Sequence, residues 1–219
     1  MASTSTITGT TPTTANGSAT STVTITLKDA FANLVPGLTP TFSATDTGTT
    51  NTYNTCGVTN ASGVATCTMS STKAESKTLS IQSPVVKADG IIVFQAGAAV
   101  AVNSSISGTG PVSADGVASS SVTINLQDQF NNLVIGQTPT FNATDTSGTN
   151  VYTACSATDA SGNSTCSLKS MFAETKVLQI TSPVTKSDGS VVFTPGAPIA
   201  ANSSITGTTP AIADGSDTS

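Results

Sequence analysis

Along "STVTITLKD" (21–29), Val23, Ile25 and Leu27 alternate with Thr22, Thr24 and Thr26. A period of two predicts a strand with one buried and one solvated face. The pattern returns at Val122, Ile124 and Leu126. Further short runs read as strands: "TPTFSAT" (39–45), the segments around each cysteine pair, "KTLSIQS" (77–83) and "GIIVFQ" (90–95). Turn signals such as "VPG", "DTGTTN", "NASG" and "KADG" separate them. No stretch sustains helical spacing of apolar residues. Roughly six to eight short strands per module predict an all-β fold, an antiparallel β-sandwich.

The pattern is written twice. "ITGTTP" at Ile7, "ISGTGP" at Ile106 and "ITGTTP" at Ile205 fall 99 residues apart each time. Phe42 matches Phe141, and Cys56 and Cys67 match Cys155 and Cys166, without a gap. A period this long exceeds the ~20–50 residues of solenoid repeats and suits a self-sufficient domain. The expected division is 1–97 for the first domain, 98–197 for the second, and 198–219 for the opening strand of a truncated third repeat. The joining segment "AGAAVAVNSSISGTGP" (96–111) has no flexible Gly/Ser tract, which predicts a short, fairly stiff junction.

Composition narrows the function classes. Hydrophobic residues make up 37% and aromatics only 4%, so the cores must be aliphatic, and with 9% charged residues the surface must be covered by Thr, Ser and Asn. A net charge of −5 with seven Lys and no Arg argues against binding a phosphate backbone. No apolar run approaches the ~20 residues that span a bilayer, so membrane insertion is not expected. The opening "MASTSTITG" has neither the basic start nor the apolar core of a secretion signal.

The four cysteines are the first candidates for chemistry. Cys56 and Cys67 flank "NASG" (60–63); if that tetrad turns a hairpin, 56 faces 67, at ~4.5–5.5 Å between Cβ atoms. A bulge at Gly63 would slip the register by one residue. Reduced structural thiols, a redox pair and zinc are the alternatives. Zinc wants four N/S ligands where each module offers two Cys and no His, and a redox pair usually shows CxxC spacing. The favoured reading is one hairpin disulfide per module, Cys56–Cys67 and Cys155–Cys166, each stabilising by ~3 kcal/mol and implying an oxidising compartment.

Without His, neither a Ser–His nor a Cys–His pair can form, so no catalytic residue is assigned and the chain is read as a non-enzyme. No cofactor is expected. Calcium is the weak exception, with Asp89, Asp115, Asp188 and Asp214 as candidate oxygen donors, Asp89 and Asp115 being expected near the junction. Lys77 lies two residues from Glu75, as Lys176 does from Glu174, and reads as a surface ion pair rather than as the lysine of an intramolecular crosslink. Two Tyr and no Trp give little support for a sugar-binding platform.

"ADGVASSSVTINLQDQFNNLVIGQTPTF" (114–141), "TDASGNSTCSLKS" (158–170) and "VVFTPGAPIAANSSITG" (191–207) together resemble bacterial Ig-like domains of the invasin/intimin type. The resemblance covers essentially the whole chain, twice. Two departures stand out: Phe31-Ala32-Asn33 and Phe130-Asn131-Asn132 lack the usual Gly before the Asn, and the cysteines replace apolar or Thr strand positions. The resemblance implies two tandem immunoglobulin-like sandwiches on a bacterial cell surface, serving as spacer or stalk of an adhesin, with neighbouring repeats as partners. Two other readings accompany it. One is a module recognising a surface glycan or protein of host or prey through loops such as "DTGTTNTY" (46–53). The other is a fibre subunit that self-associates by strand donation from 205–219.

Overall fold

The computed structural model describes residues 4–207. Each module folds into eight strands. In module one they are β1 (Thr6–Gly9), β2 (Thr13–Thr14), β3 (Ser21–Thr26), β4 (Thr41–Ala44), β5 (Asn51–Tyr53), β6 (Val64–Ser71), β7 (Ser76–Ser83) and β8 (Lys87–Gln95). Sheets ordered β1-β3-β6-β5 and β2-β8-β7-β4 face each other. All pairs are antiparallel except the short β2–β8 contact, where Thr13 faces Phe94. Module two repeats this with β9 (Ser105–Gly108), β10 (Val112–Ser113), β11 (Ser120–Asn125), β12 (Thr140–Ala143), β13 (Val151–Tyr152), β14 (Asn163–Lys169), β15 (Thr175–Ser182) and β16 (Lys186–Thr194). Its sheets are β9-β11-β14-β13 and β10-β16-β15-β12.

The Val/Thr alternation decides the inward face. Val23, Ile25 and Leu27 are buried with Cys67 and Met69 from their own sheet, and they meet Leu79, Ile81, Ile92 and Phe94 from the other. Module two packs the same positions with Leu168 for Met69 and Val191 for Ile92. Each fully buried aliphatic side chain contributes about 1.5–3 kcal/mol.

Two local expectations are corrected. "KADG" is not a turn: Lys87–Gly90 open β8, and Leu79 faces Gly90 while Ser80 faces Ala88, leaving Asp89 as the extra residue of a bulge. Strand β1 crosses closely here, and a Cβ on Gly90 would sit 2.5 Å from the Ile7 carbonyl oxygen, so glycine is required by contact rather than by a turn. Nor is Lys77 at the surface. Lys77 and Lys176 are fully buried. The Lys77 ammonium meets the Glu75 carboxylate, with Asp46 Oδ1 at 3.8 Å and the Thr45 carbonyl at 3.4 Å. Lys176 meets Glu174, with Asp145 at 3.4 Å. Glu75 also accepts from Thr47, so the buried cation fastens the loop after β4 onto β7.

Beyond β16 the chain makes a 3-10 turn over Ala200–Asn202. Residues 203–207 form no strand, and the rest of the expected third-repeat strand, with Asp214, lies outside the described residues.

Candidate functional site at the module junction

The site begins with an aspartate that organises its own turn. In module one the Asp29 carboxylate accepts from the backbone N–H of Phe31 (2.9 Å) and Asn33 (2.8 Å) and from the Asn33 side-chain amide (2.9 Å). Short polar side chains that bond the backbone two to four residues on make such turns. Closing it forces the residue before the Asn into the left-handed region, φ 66° at Ala32 and 62° at Asn131. That is the position at which the resemblance leads one to expect Gly. Asn tolerates this conformation better than Ala.

In module two the same turn faces module one. Asp128 Oδ1 accepts from Phe130 N (2.8 Å) and Asn132 N (2.9 Å). Its Oδ2 accepts from the Asn132 amide and from the Gly97 N–H of the linker, both at 2.9 Å. The Asn132 amide, so oriented, bridges the modules: Nδ2 donates to the Thr72 carbonyl (2.9 Å), and Oδ1 accepts from Ala74 N (2.8 Å) in the loop between β6 and β7. The linker is held on the same face. Val100 N donates to Gln127 O (2.8 Å), Asn103 Nδ2 to Asp128 O (2.7 Å), and Ser104 Oγ to Val100 O (2.8 Å).

Burial alone pushes the Asp128 carboxyl up, but the bonds from the Asn132 side chain, Gly97, Asn132 N and Phe130 outweigh it and hold it below the ordinary value. Asp128 therefore stays ionised at neutral pH, and as a carboxylate it can only accept, which directs the Asn132 NH₂ toward itself and the Asn132 carbonyl oxygen toward Ala74. Beside the clamp lies a cleft of about 740 Å³, lined among others by Lys73, Glu75, Val93, Leu133 and Ile135.

The residues expected from sequence lie elsewhere. Both disulfides are present, with Cα–Cα distances of 4.3 Å for Cys56–Cys67 and 4.4 Å for Cys155–Cys166. These are directly facing, non-hydrogen-bonded neighbours. The bulge at Gly63 also exists: φ is 67°, Gly63 N donates to Asn60 O, and Asn60 N donates to Val64 O. The register is recovered because Thr59 turns away to bond Leu38 O, after which Gly57 N donates to Thr66 O. In each pair only the second cysteine, Cys67 or Cys166, stands on a regular strand.

Asp89 and Asp115 are not brought together, and neither is at the junction. Asp89 opens β8 beside Lys87 at 3.2 Å. Asp115, past β10 at the far end of module two, accepts from Val117 N and Ala118 N. Asp188 pairs with Lys186 at 3.1 Å and accepts from Ile106 N. Among the described residues no three of His, Cys, Asp and Glu gather where they could hold a metal. Tyr53 and Tyr152 are exposed, and each hydroxyl bonds the end of its β4 or β12 strand. The junction carboxylate is Asp128, which the sequence marks only as a turn residue.

Residues 3–91 match the family described as bacterial Ig-like domain (group 1), and the second module repeats them. InvD of Yersinia pseudotuberculosis is 25% identical with a TM-score of 0.71, over 97% of this chain and 64% of that one. The Escherichia coli adhesin FdeC is 21% identical with a TM-score of 0.74, over 90% and 65%. Invasin, described as a bacterial integrin-binding protein, is 20% identical with a TM-score of 0.62, over 89% and 40%. The chain thus spans less than two thirds of the length of each of these structures. No curated protein sequence matches it significantly. No helix among the described residues is long and apolar enough to cross a membrane.

Proposed function

We propose that this tandem of group 1 bacterial Ig-like modules is a spacer in an extracellular bacterial adhesin, holding a neighbouring part of the protein at a fixed distance and angle from the surface. The observation that carries this is the Asp128–Asn132 clamp. A tether needs only chain length, whereas here a buried carboxylate aims a buried amide at two backbone groups of the preceding module. Fixing two bodies through short hydrogen bonds to backbone costs conformational freedom, which suits a strut. Each module is closed by a buried ion cluster and by a disulfide, the latter suited to an oxidising environment.

The competing reading, a ligand-binding module acting through loop 46–53, is tested by flow cytometry of labelled chain on epithelial cells. The spacer reading expects no saturable binding. Saturable binding that disappears when residues 47–49 are replaced, with the melting temperature unchanged, would replace it.

A further inference from the structure

We propose that each module carries an internal covalent tie, an amide bond between a buried lysine and the aspartate facing it: Lys77 to Asp46 in module one, Lys176 to Asp145 in module two. Lys77 stands on β7 in the inward row of Leu79 and Ile81, and Lys176 stands on β15 in the row of Leu178 and Ile180; both are fully buried. Lysine is almost never buried so completely unless its amine is engaged. The backbone sets the partner. Ala44 faces Leu79 and Thr45 N donates to Thr78 O at 3.0 Å, so Asp46 is the next residue opposite Lys77. Thr144 N and Val177 O place Asp145 beside Lys176 in the same way. Nζ then lies 3.8 Å from Asp46 Oδ1 and 3.4 Å from Asp145 Oδ1.

The groups a condensation needs surround each amine. The aspartate carboxyl is held from its other side: Oδ2 of Asp46 and of Asp145 accepts from Asn51 N and Asn150 N, both at 2.9 Å. Oδ1 accepts from Thr50 N at 2.9 Å and Thr149 N at 3.0 Å. Glu75 and Glu174 touch the same Nζ and are themselves held by Thr47 and Thr146. Two carboxylates thus serve one ammonium, one more than charge balance needs, and the glutamate is placed to carry protons. Each pocket also holds a buried acceptor without a partner, Asn51 Oδ1 or Asn150 Oδ1. The Asn51 amide shares the Thr45 carbonyl with Lys77 Nζ, which puts this acceptor beside the lysine. An unmet buried acceptor is costly, and a chemical role is one reason to keep it.

The step balances within the cluster. Glu75 takes a proton from the Lys77 ammonium, and the nitrogen lone pair attacks Asp46 Cγ. Negative charge develops on Oδ2, where the Asn51 N–H receives it. Glu75 passes its proton to Oδ1, then relays a second from the nitrogen; the Cγ–Oδ1 bond breaks and Oδ1 leaves as water. A C–N bond has replaced a C–O bond, nothing is oxidised or reduced, and Glu75 ends as the carboxylate it began. Well-oriented groups held together reach effective concentrations of ~10⁵–10⁸ M, enough to drive a condensation that free amine and acid in water do not complete. The ion cluster is the state from which the bond forms. This goes beyond the spacer reading and does not rest on it: a module closed by the ion cluster alone is still a strut.

Mass spectrometry of the intact chain, denatured, reduced and alkylated, reads the bond directly. The expected mass is below that of the sequence by one water per module. Trypsin should then fail to cut after Lys77 and Lys176, releasing residues 29–73 joined to 74–87 and residues 88–169 joined to 170–186. Glu75→Gln should restore cutting after Lys77 and one of the two waters, with module two still linked as the internal control. The native map decides the proposal whether or not that variant folds. Full sequence mass with cutting after both lysines would overturn it. So would loss of ammonia in place of water, which puts the link at Asn51 and Asn150, or loss of water with 29–73 released free, which puts it at Glu75.

Discussion

Asn33 and Asn132 occupy the same place in the repeat and the same Asp-organised turn, yet one points into solvent and the other is the most specific contact between the modules. The chemistry of the two residues is identical; only the neighbour differs. A junction of this kind is therefore written into every copy and becomes active where two copies meet. By contrast, the Lys77 and Lys176 clusters lie wholly inside their modules and are formed equally in both. The molecule separates what a module needs to stand alone from what it needs to stand in line.

The largest effect expected is one that ignores this distinction. Glu75→Ala and Glu174→Ala each leave a buried ammonium short of its nearest partner, and each should lower the urea midpoint of its own module more than any other substitution named here. The losses should be equal in the two modules; a loss confined to one copy would show that the two clusters are not equivalent. The clamp should behave in the opposite way. Asn132→Ala should remove about 1–3 kcal/mol of coupling between the modules, read as two separate unfolding transitions where the native chain shows closer ones. Asn33→Ala should stay within ~0.5 kcal/mol.

A smaller asymmetry is expected at the left-handed residues. Ala32→Gly should stabilise module one by about 1 kcal/mol in thermal melts, and Asn131→Gly should do less because Asn already tolerates that backbone. The smallest effect near neutrality is that of pH. Asp29, Asp46, Glu75, Asp128, Asp145 and Glu174 all have lowered pKa values. Their stabilisation is complete above the unfolded-state values of ~4 and is lost as pH falls through the lower folded-state values. With no His in the chain, stability should be flat from about pH 5 to 8. It should fall only below ~4, with coupling between the modules lost as Asp128 protonates.

Much of the fold was legible because strand alternation is a local signal: Val23, Ile25 and Leu27 are buried as their spacing requires, and Cys56 faces Cys67. What escaped depended on contacts distant in sequence. "KADG" reads as a turn until β1 is seen to cross Gly90. Lys77 reads as a surface cation until the Asp46 loop folds over it. The register around Gly63 depends on Thr59 finding Leu38. Asn132 carries no mark that Asn33 lacks, so no reading of either turn alone could have found the junction. The missing Gly before each Asn was the nearest signal, since it located the strained turn.

The Asn132 clamp should make the two modules one rigid body. Residual dipolar couplings measured for each module of the isotope-labelled chain test it most directly. A rigid junction gives both modules one alignment tensor, equal in magnitude and orientation, with the tensors diverging in Asn132→Ala and not in Asn33→Ala. Native modules that align independently, or an Asn132→Ala chain that still shares one tensor, would show that the clamp does not set the angle between the modules.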